Sequence, residues 1–526
     1  MPSNVPSTCS VSLQVPAPSR DAEEGDDSVA KTASESLDIE HVHVDDDPRK
    51  WSNMRKTGTL CMIICASIVA GLSISIINPA IKQIETDLRT TSGKFSLVLS
   101  IFIVFQGSAP LLWTAISEIK GRKLVYVVSL AIAMVGNIVA AEAKSIGVLI
   151  GMRAVQAMGT GSVLAIGAAT LADIYEPCER GTKLGITYAA PLLGPSIGPI
   201  LGGVLTQAFS WRACFWLQAA YLGASVVLFV FFFRDTFRKE RSLTYQRVLA
   251  SRRSAASKRS SVVSDPAYEL DGKSKGEAAV TVGEASGPAA IATVASPQAE
   301  AEIALSFKDV NPFPPLFLVL KRRNNIATLF PSGFFFAFSY NITYTCSRTL
   351  GDHYNYDALK IGFVLLSYGV GSVLGSVLGG RWSDRVLRRL TSANGGHRLP
   401  EMRLESTKPA MVFFPLSVVA YAWLAQEHVH VASLCTALFF IGFFSVWIYS
   451  STLAYIAAVA TNSWFRGVAA LVFTEAAVPL QDSMGDGGLY TLWAGILVLS
   501  ELMLLMVQRY GGAWREAAEE RENPQS

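Results

Sequence analysis

The sequence predicts an all-α integral membrane protein with twelve transmembrane helices in two six-helix lobes. Three observations carry this. Half of the residues are hydrophobic and only 17% are charged, below the roughly 25% usual for soluble domains. Twelve stretches approach the roughly 20 mostly apolar residues that a bilayer span needs. One long polar segment divides them six and six.

The first six spans occupy about 57–81, 94–116, 124–142, 147–170, 184–206 and 213–233, so 57–233 is read as the N-terminal lobe. The second six occupy about 326–346, 359–380, 408–426, 431–454, 462–480 and 487–508, making 326–508 the C-terminal lobe. Residues 1–56 and 509–526 are read as tails, and 234–325 as a linker. The linker is rich in Ala, Ser, Lys and Glu and poor in large apolar residues, which predicts disorder. Its strings Arg252–Ser254 and Lys258–Ser261 suit either kinase sites or a basic segment beside anionic lipid. No signal-type apolar run stands in the first 50 residues, so span one is expected to direct insertion.

Orientation follows from charge. Arg49, Lys50, Arg55, Lys56, Lys120, Arg122, Lys123, Arg180, Lys183, Arg381, Arg385, Arg388, Arg389, Arg509 and Arg515 all fall on one side of this topology. The opposite loops, such as Glu142–Lys144 and Asp482–Asp486, are short and mixed in charge. The positive-inside rule places both termini in the cytosol, in a protein expected at the plasma membrane.

Several chemistries find no support. The seven cysteines are scattered without CxxC or metal-ligand spacing, and the six histidines sit in tails or loops. No GxxxxGK[ST] occurs, so no nucleotide-driven pump is expected. The glycine string of Gly369–Gly380 lacks the strand and soluble helix of a dinucleotide site, and glycines 371, 375 and 379 read as a close-packing helix face. No cofactor, metal, nucleic-acid partner or enzyme activity is expected.

The halves show weak internal symmetry. SEIKGRK (Ser117–Lys123) follows span two, and GRWSDRVLRR (Gly380–Arg389) follows span eight. Each sets Ser, an acid and basic residues at the same place in its half, as in duplicated transporter folds. Further strings stand in order along the chain: DPRKW before span one, RAVQAMGTG at Arg153–Gly161, DIYEPCERG at Asp173–Gly181, GPSIGPILGGV at Gly194–Val204 and GDGGLYTLWAG at Gly485–Gly495. Together they resemble the major facilitator superfamily (MFS) over essentially all of 45–515, and more narrowly its fungal-type twelve-span drug:proton antiporters of the quinidine-resistance-like branch.

The resemblance implies the MFS fold and a proton-coupled exporter of a small organic molecule: a drug-like compound, a secondary metabolite, or an organic acid such as a dicarboxylate. Its partners would be that substrate, protons and the lipid bilayer, with the chain acting as a monomer. The alternatives are a proton-coupled nutrient importer and a non-transporting membrane sensor. The resemblance assigns an antiporter motif to Gly194, Pro195, Gly198, Pro199, Gly202 and Gly203. Glycines 194, 198 and 202 share a helix face and the prolines permit a kink, so this helix is expected to rock against a neighbour in the other lobe. It also assigns cytosolic gate residues: Glu118, Gly121 and Arg122 in the first half, and Gly380, Asp384 and Arg385 in the second. The second copy is complete. The first departs from the pattern at Thr114, Glu118 and Ile119, so its latch is expected to be weaker or to use Glu118.

Ionisable residues inside spans are functional candidates by default. Arg153, two turns into span four, is either a core cation for protons or substrate, with Gln156 beside it, or a strut to span one. Glu475 in span eleven suits a proton carrier, because desolvation favours the protonated carboxyl, or is a helix-packing residue. Arg348, near the outer end of span seven, either attracts an anionic substrate or snorkels. Arg466 is expected at the cytosolic end of span eleven, also snorkelling. Candidate substrate contacts are Arg153, Gln156, Gln106, Tyr340, Asn341, Tyr344 and Arg348, with Tyr340, Asn341 and Tyr344 placed on one face of span seven.

Overall fold

The computed structural model describes Val44 and residues 46–242, 245–246, 248–249, 310, 313–396, 399–455 and 459–522. The expected spans are all there as helices. Span one is Asn53–Ser75, turned by a 3-10 segment at Asn78–Ala80 and continued as Ile81–Asp87. Pro79 lacks the amide that would continue the ladder. Span two is Ser92–Lys120 and span three Arg122–Ala141. Gly121 separates them at φ 87° and ψ 167°, a conformation open essentially to glycine alone.

Span four runs through Ile146–Thr160 and Ser162–Ile174, with Ser145 capping the first amides. Span five starts as Pro177–Ala189, tightens at Ala190–Leu193 and resumes as Gly194–Ala208. Span six is Arg212–Phe232. In the second half, spans seven to ten are Arg323–Asp352, Ala358–Ala393, Lys408–Gln426 and Val431–Tyr455. Spans eleven and twelve form one continuous run, Val459–Glu522, broken at Gly485 (φ 70°). Among the described residues nine helices pass a length-and-hydropathy test for crossing a membrane. That test takes spans eleven and twelve as one. It passes over span five, which is broken, and span seven, whose Asn, Ser, Thr and Tyr residues dilute its apolar character.

Two boundaries differ from expectation. Phe313–Lys321, inside the stretch read as linker, is helical. The last helix continues past 508 to Glu522. Arg515 there pairs with Glu401 at 3.0 Å, and the Ala/Glu/Arg-rich sequence favours helix. The short link between spans ten and eleven, 456–458, lies outside the described residues, as do the two basic-serine strings of the linker. The chain divides into two compact units, and every span belongs to the one that contains Asp45–Phe237 and Asn311–Ser526. In the other, Lys239–Arg241 form a single 3-10 turn.

Each half packs its own core. Tyr126 of span three stacks on Phe229 of span six at 4.5 Å, and Tyr421 of span nine meets Tyr490 of span twelve edge-on at 4.9 Å. Between the halves, span two packs on span eleven and span five on span eight. These seams correspond under the duplication, because spans two and eight, and five and eleven, hold equivalent places in their halves. Close approach explains their composition: a Cβ on Gly107 would collide with the Ser463 carbonyl, and one on Gly362 with that of Pro199. Outward faces carry exposed apolar residues such as Phe231, Val412 and Leu416, as a lipid-facing surface requires.

Candidate functional site

A cavity of about 200 Å³ lies between the halves. Spans one, two, four and five contribute Gly71, Ser75, Gln106, Leu164 and Pro191 from one side. Spans seven, eight, ten and eleven contribute Phe336, Ser339, Tyr340, Thr343, Tyr368, Ser445, Tyr449 and Arg466 from the other. Phe336, Ser339, Tyr340 and Thr343 recur at helical spacing, so a single face of span seven forms one wall. Gln106 is oriented by its amide, which donates to the Ala70 carbonyl at 3.0 Å.

Of the expected substrate contacts, Gln106 and Tyr340 line this cavity and the others do not. Asn341 is one residue, about 100° of helix, away from Tyr340. Its amide donates to the Phe473 carbonyl at 3.0 Å. Tyr344 lies a turn further along and donates to the Ser92 carbonyl at 2.9 Å. The three residues expected on one face thus serve three neighbours.

Arg153 is fully buried. It donates to the Ser73 carbonyl at 2.9 Å and to Gln156 Oε1 at 2.7 Å. Its guanidinium lies 4.0 Å from the Phe102 ring centroid. Gln156 in turn donates to Asn137 and Gln218, and Ser73 donates to Gln218. This network ties spans one, three, four and six together beside the break in span one. The geometry is that of a strut, without cavity exposure.

Arg348 is also placed away from the cavity. Near the far end of the bundle, opposite the termini, it pairs with Asp482 at 2.6 Å and donates to Gln481 at 3.0 Å. It shares a polar cleft with Asp352, Asp486, His353 and His428. With three acids around one arginine, this cleft does not favour anions.

Arg466 corrects the expectation of snorkelling. Its helix begins at Val459, which sets it two turns in, facing spans seven and ten. The guanidinium lies 4.1 Å from the Phe336 centroid and donates to the Tyr449 hydroxyl. It lines the cavity. The one signal in the sequence was an arginine with no acid within a turn on either side (NSWFRGVAAL), and that pattern does not say which neighbours it meets.

Glu475 sits on the seam between spans eleven and two. It accepts from Ser96 at 3.0 Å and from Ser100. Lys82 donates to the Gly351 carbonyl at 2.8 Å, so with Tyr344 and Ser92 these contacts bind the halves together toward the far end.

The antiporter-motif face also differs from expectation. Cβ atoms on Gly194, Gly198 and Gly202 would strike Gly71, Ser75 and Ile76 of span one, in the same half. Ser75 donates to the Gly194 carbonyl at 2.7 Å. The side of this helix facing the other half is made by Ser196, Pro199 and Gly203, against Gly369, Gly362 and Ala358 of span eight. The Pro195 side chain lies outside the described residues. Glycines 371 and 375 approach the span-ten carbonyls of Phe439 and Phe443, the close packing their spacing predicted.

The expected gate residues divide sharply. Arg122 is buried and donates to Glu118 at 3.0 Å, to Asp173 at 3.4 Å and to Ser117. Its amide donates to Asp235 at 3.1 Å. Asp384 instead reaches Arg403 at 3.7 Å, with the side chains 61% and 37% exposed. Gly380 has open space around it.

Comparison with known proteins agrees with this architecture. The family described as Major Facilitator Superfamily matches residues 63–474. The chain is similar to the MFS antiporter QDR3 of Candida albicans, at 26% identity over 90% of this chain and 80% of that one. It is 24% identical to citrate exporter 1 of Aspergillus niger, over 97% of this chain and 96% of that one. Among solved structures, the human organic anion transporter MFSD10 (TETRAN) superposes with a TM-score of 0.51 at 16% identity, covering 85% of this chain and 99% of that one. That last likeness is one of fold.

Proposed function

The chain belongs to the Major Facilitator Superfamily, and from that premise we propose that it exports a small organic molecule in exchange for protons. It is a multi-pass membrane transporter and not an enzyme. The coupling reading rests chiefly on Glu475, an ionisable carboxyl in a span, placed on the seam and hydrogen-bonded to Ser96 and Ser100 of the other half. Opening the far end separates the carboxylate from both serines and hands it to water there. In this reading the carboxyl takes a proton from the far side while it is parted from the serines, and gives that proton up toward the cytosol once the closed seam restores both hydroxyl donors to the carboxylate. The printed functions of two relatives, an antiporter and an exporter, support the same direction.

In this reading Gln106 and Tyr340 contact substrate, and Arg153 with Gln156 hold span four against span one. Tyr344 and Glu475 close the far end. Charge distribution supports both termini in the cytosol, with 1–56, 234–325 and 509–526 on that side and 57–233 and 326–508 as lobes, and we read the membrane as the plasma membrane. The cavity then faces the cytosol. The described lining of the cavity comes from a single chain, and in this reading the chain works as a monomer.

The test is efflux from a transporter-depleted host expressing the full chain, loaded with a panel of weak organic acids and drugs. Net efflux should fall when a proton uncoupler is added. Glu475→Gln should lower net efflux by about tenfold or more, the size of an ordinary coupling between sites, while substrate–substrate exchange persists. Efflux that ignores the uncoupler, or a Glu475→Gln variant that pumps normally, removes proton coupling through this residue.

A further inference from the structure

We infer that the cavity selects an organic monoanion with an aromatic or apolar body, its negative group held by Arg466. This rests on the reading of the cavity as the transport site. Among the described residues lining the cavity, Arg466 carries the only charge, and none is acidic. The rest of the wall is the Gln106 amide together with hydroxyl, aromatic and aliphatic side chains.

The cation is built in. The Phe336 ring lies against it, with the guanidinium carbon 4.1 Å from the centroid, and the Tyr449 hydroxyl takes one donor. Its Nε is buried without a hydrogen-bond partner. Among the described residues no carboxylate forms an ion pair with it. A guanidinium partly withdrawn from water without a counter-ion carries a desolvation cost, and it presents a planar fork of donors matched to a carboxylate. An incoming carboxylate relieves that cost. An incoming cation adds a like charge to a site with no acid to receive it. A dianion or trianion brings a second charge that the cavity leaves uncompensated. Phe336, Tyr340, Tyr368 and Tyr449 line the cavity with aromatic surface against which an apolar body can pack.

Arg153 and Arg348 do not share this role, although each also has a buried nitrogen without a partner, because neither lines the cavity: Arg153 is fully buried against Ser73 and Gln156, and Arg348 is paired with Asp482. The charge rule therefore stands on a single residue.

Three probes with one ring system isolate the charge: 2-naphthoate (−1), 2,3-naphthalenedicarboxylate (−2) and 2-naphthylmethylammonium (+1). Binding is measured at equilibrium to the full chain in lipid nanodiscs. Naphthoate should bind wild type most tightly and the ammonium probe least. Arg466→Gln should weaken naphthoate about tenfold or more, the loss of a charge-assisted hydrogen bond, and Arg466→Lys should recover part of it. The inference is overturned by ammonium binding as tight as naphthoate, by dianion binding tighter than naphthoate, by no naphthoate binding at millimolar concentration, or by naphthoate binding indifferent to Arg466→Gln. The wild-type probe ranking decides the question even if the glutamine variant fails to fold. The measurement uses no gradient, so it stands apart from export: failed proton-driven efflux leaves the charge rule in place. Uncoupler-sensitive efflux of cations in preference to naphthoate keeps the exporter and ends the rule.

Discussion

The turns after spans two and eight carry similar strings, SEIKGRK and GRWSDRVLRR, and the structure reverses their apparent ranks. The second keeps every residue of the pattern, yet Asp384 lies 61% exposed and reaches Arg403 only at 3.7 Å. The first has lost three, with Thr114, Glu118 and Ile119 standing in their place. It nevertheless buries Arg122 among Glu118, Asp173 and Ser117, with Asp235 on the adjacent amide. Asp173 comes from the end of span four and Asp235 from beyond span six. The acids that hold the first turn thus come partly from elsewhere in its own lobe. Completeness of a motif therefore does not measure the energy stored in it. Burial and the number of partners do, since exposed pairs contribute little and enclosed ones are costly to break.

The contrast predicts a graded series, read as thermal or chemical unfolding of the detergent-solubilised chain. Arg122→Ala should be the most damaging, at about 3 kcal/mol, because Glu118 and Asp173 are left close together without their cation. Gly121→Ala should follow at about 2 kcal/mol, the cost of a Cβ in a glycine-only conformation, with Asp235 also in its way. Asp384→Asn should change stability by less than about 0.5 kcal/mol, as for other exposed pairs. Equal losses from Arg122→Ala and Asp384→Asn would break the comparison and restore the second turn as the principal latch. A double-mutant cycle of Arg122 with Asp173 would sharpen it, since the coupling should exceed that of Asp384 with Arg403.

The same divide between pattern and packing runs through the membrane arginines. All three stood out in the sequence, because charge within a span is rare and costly. Their roles did not. Arg153 offered a choice between core cation and strut, and its partners on span one, Gln156 and Phe102 make it a strut. Arg348 reads in the sequence as an anion attractor or a snorkelling residue, and Asp482, distant in sequence, pairs with it at 2.6 Å. Arg466 read as an interfacial residue, and Phe336 and Tyr449 draw it into the cavity. On span seven the spacing of Tyr340 and Tyr344 was visible. Their difference in depth, with one on the cavity and the other on Ser92, depends on where span two lies.

What the sequence by itself determined is what is local along the chain. Runs of apolar residues long enough for a bilayer set the spans. Pro79, Gly121 and Gly485 stand at breaks, but Pro110, Pro331 and Pro415 lie inside continuous helices, so a missing amide or a glycine permits a break and the packing decides whether it is taken. The duplicated turn and the glycine spacings marked the halves and the places of close approach. Tertiary structure decided which neighbour each marked face meets. Gly194, Gly198 and Gly202 serve span one, while Ser196, Pro199 and Gly203, on the same helix, serve the opposite lobe. It decided likewise that one arginine is enclosed, one paired and one left facing the cavity. The physical reason is that a side chain's partners here lie up to hundreds of residues away, and their approach is set by how whole helices pack. Periodicity states the direction of a face around its own axis, and only packing states what stands opposite.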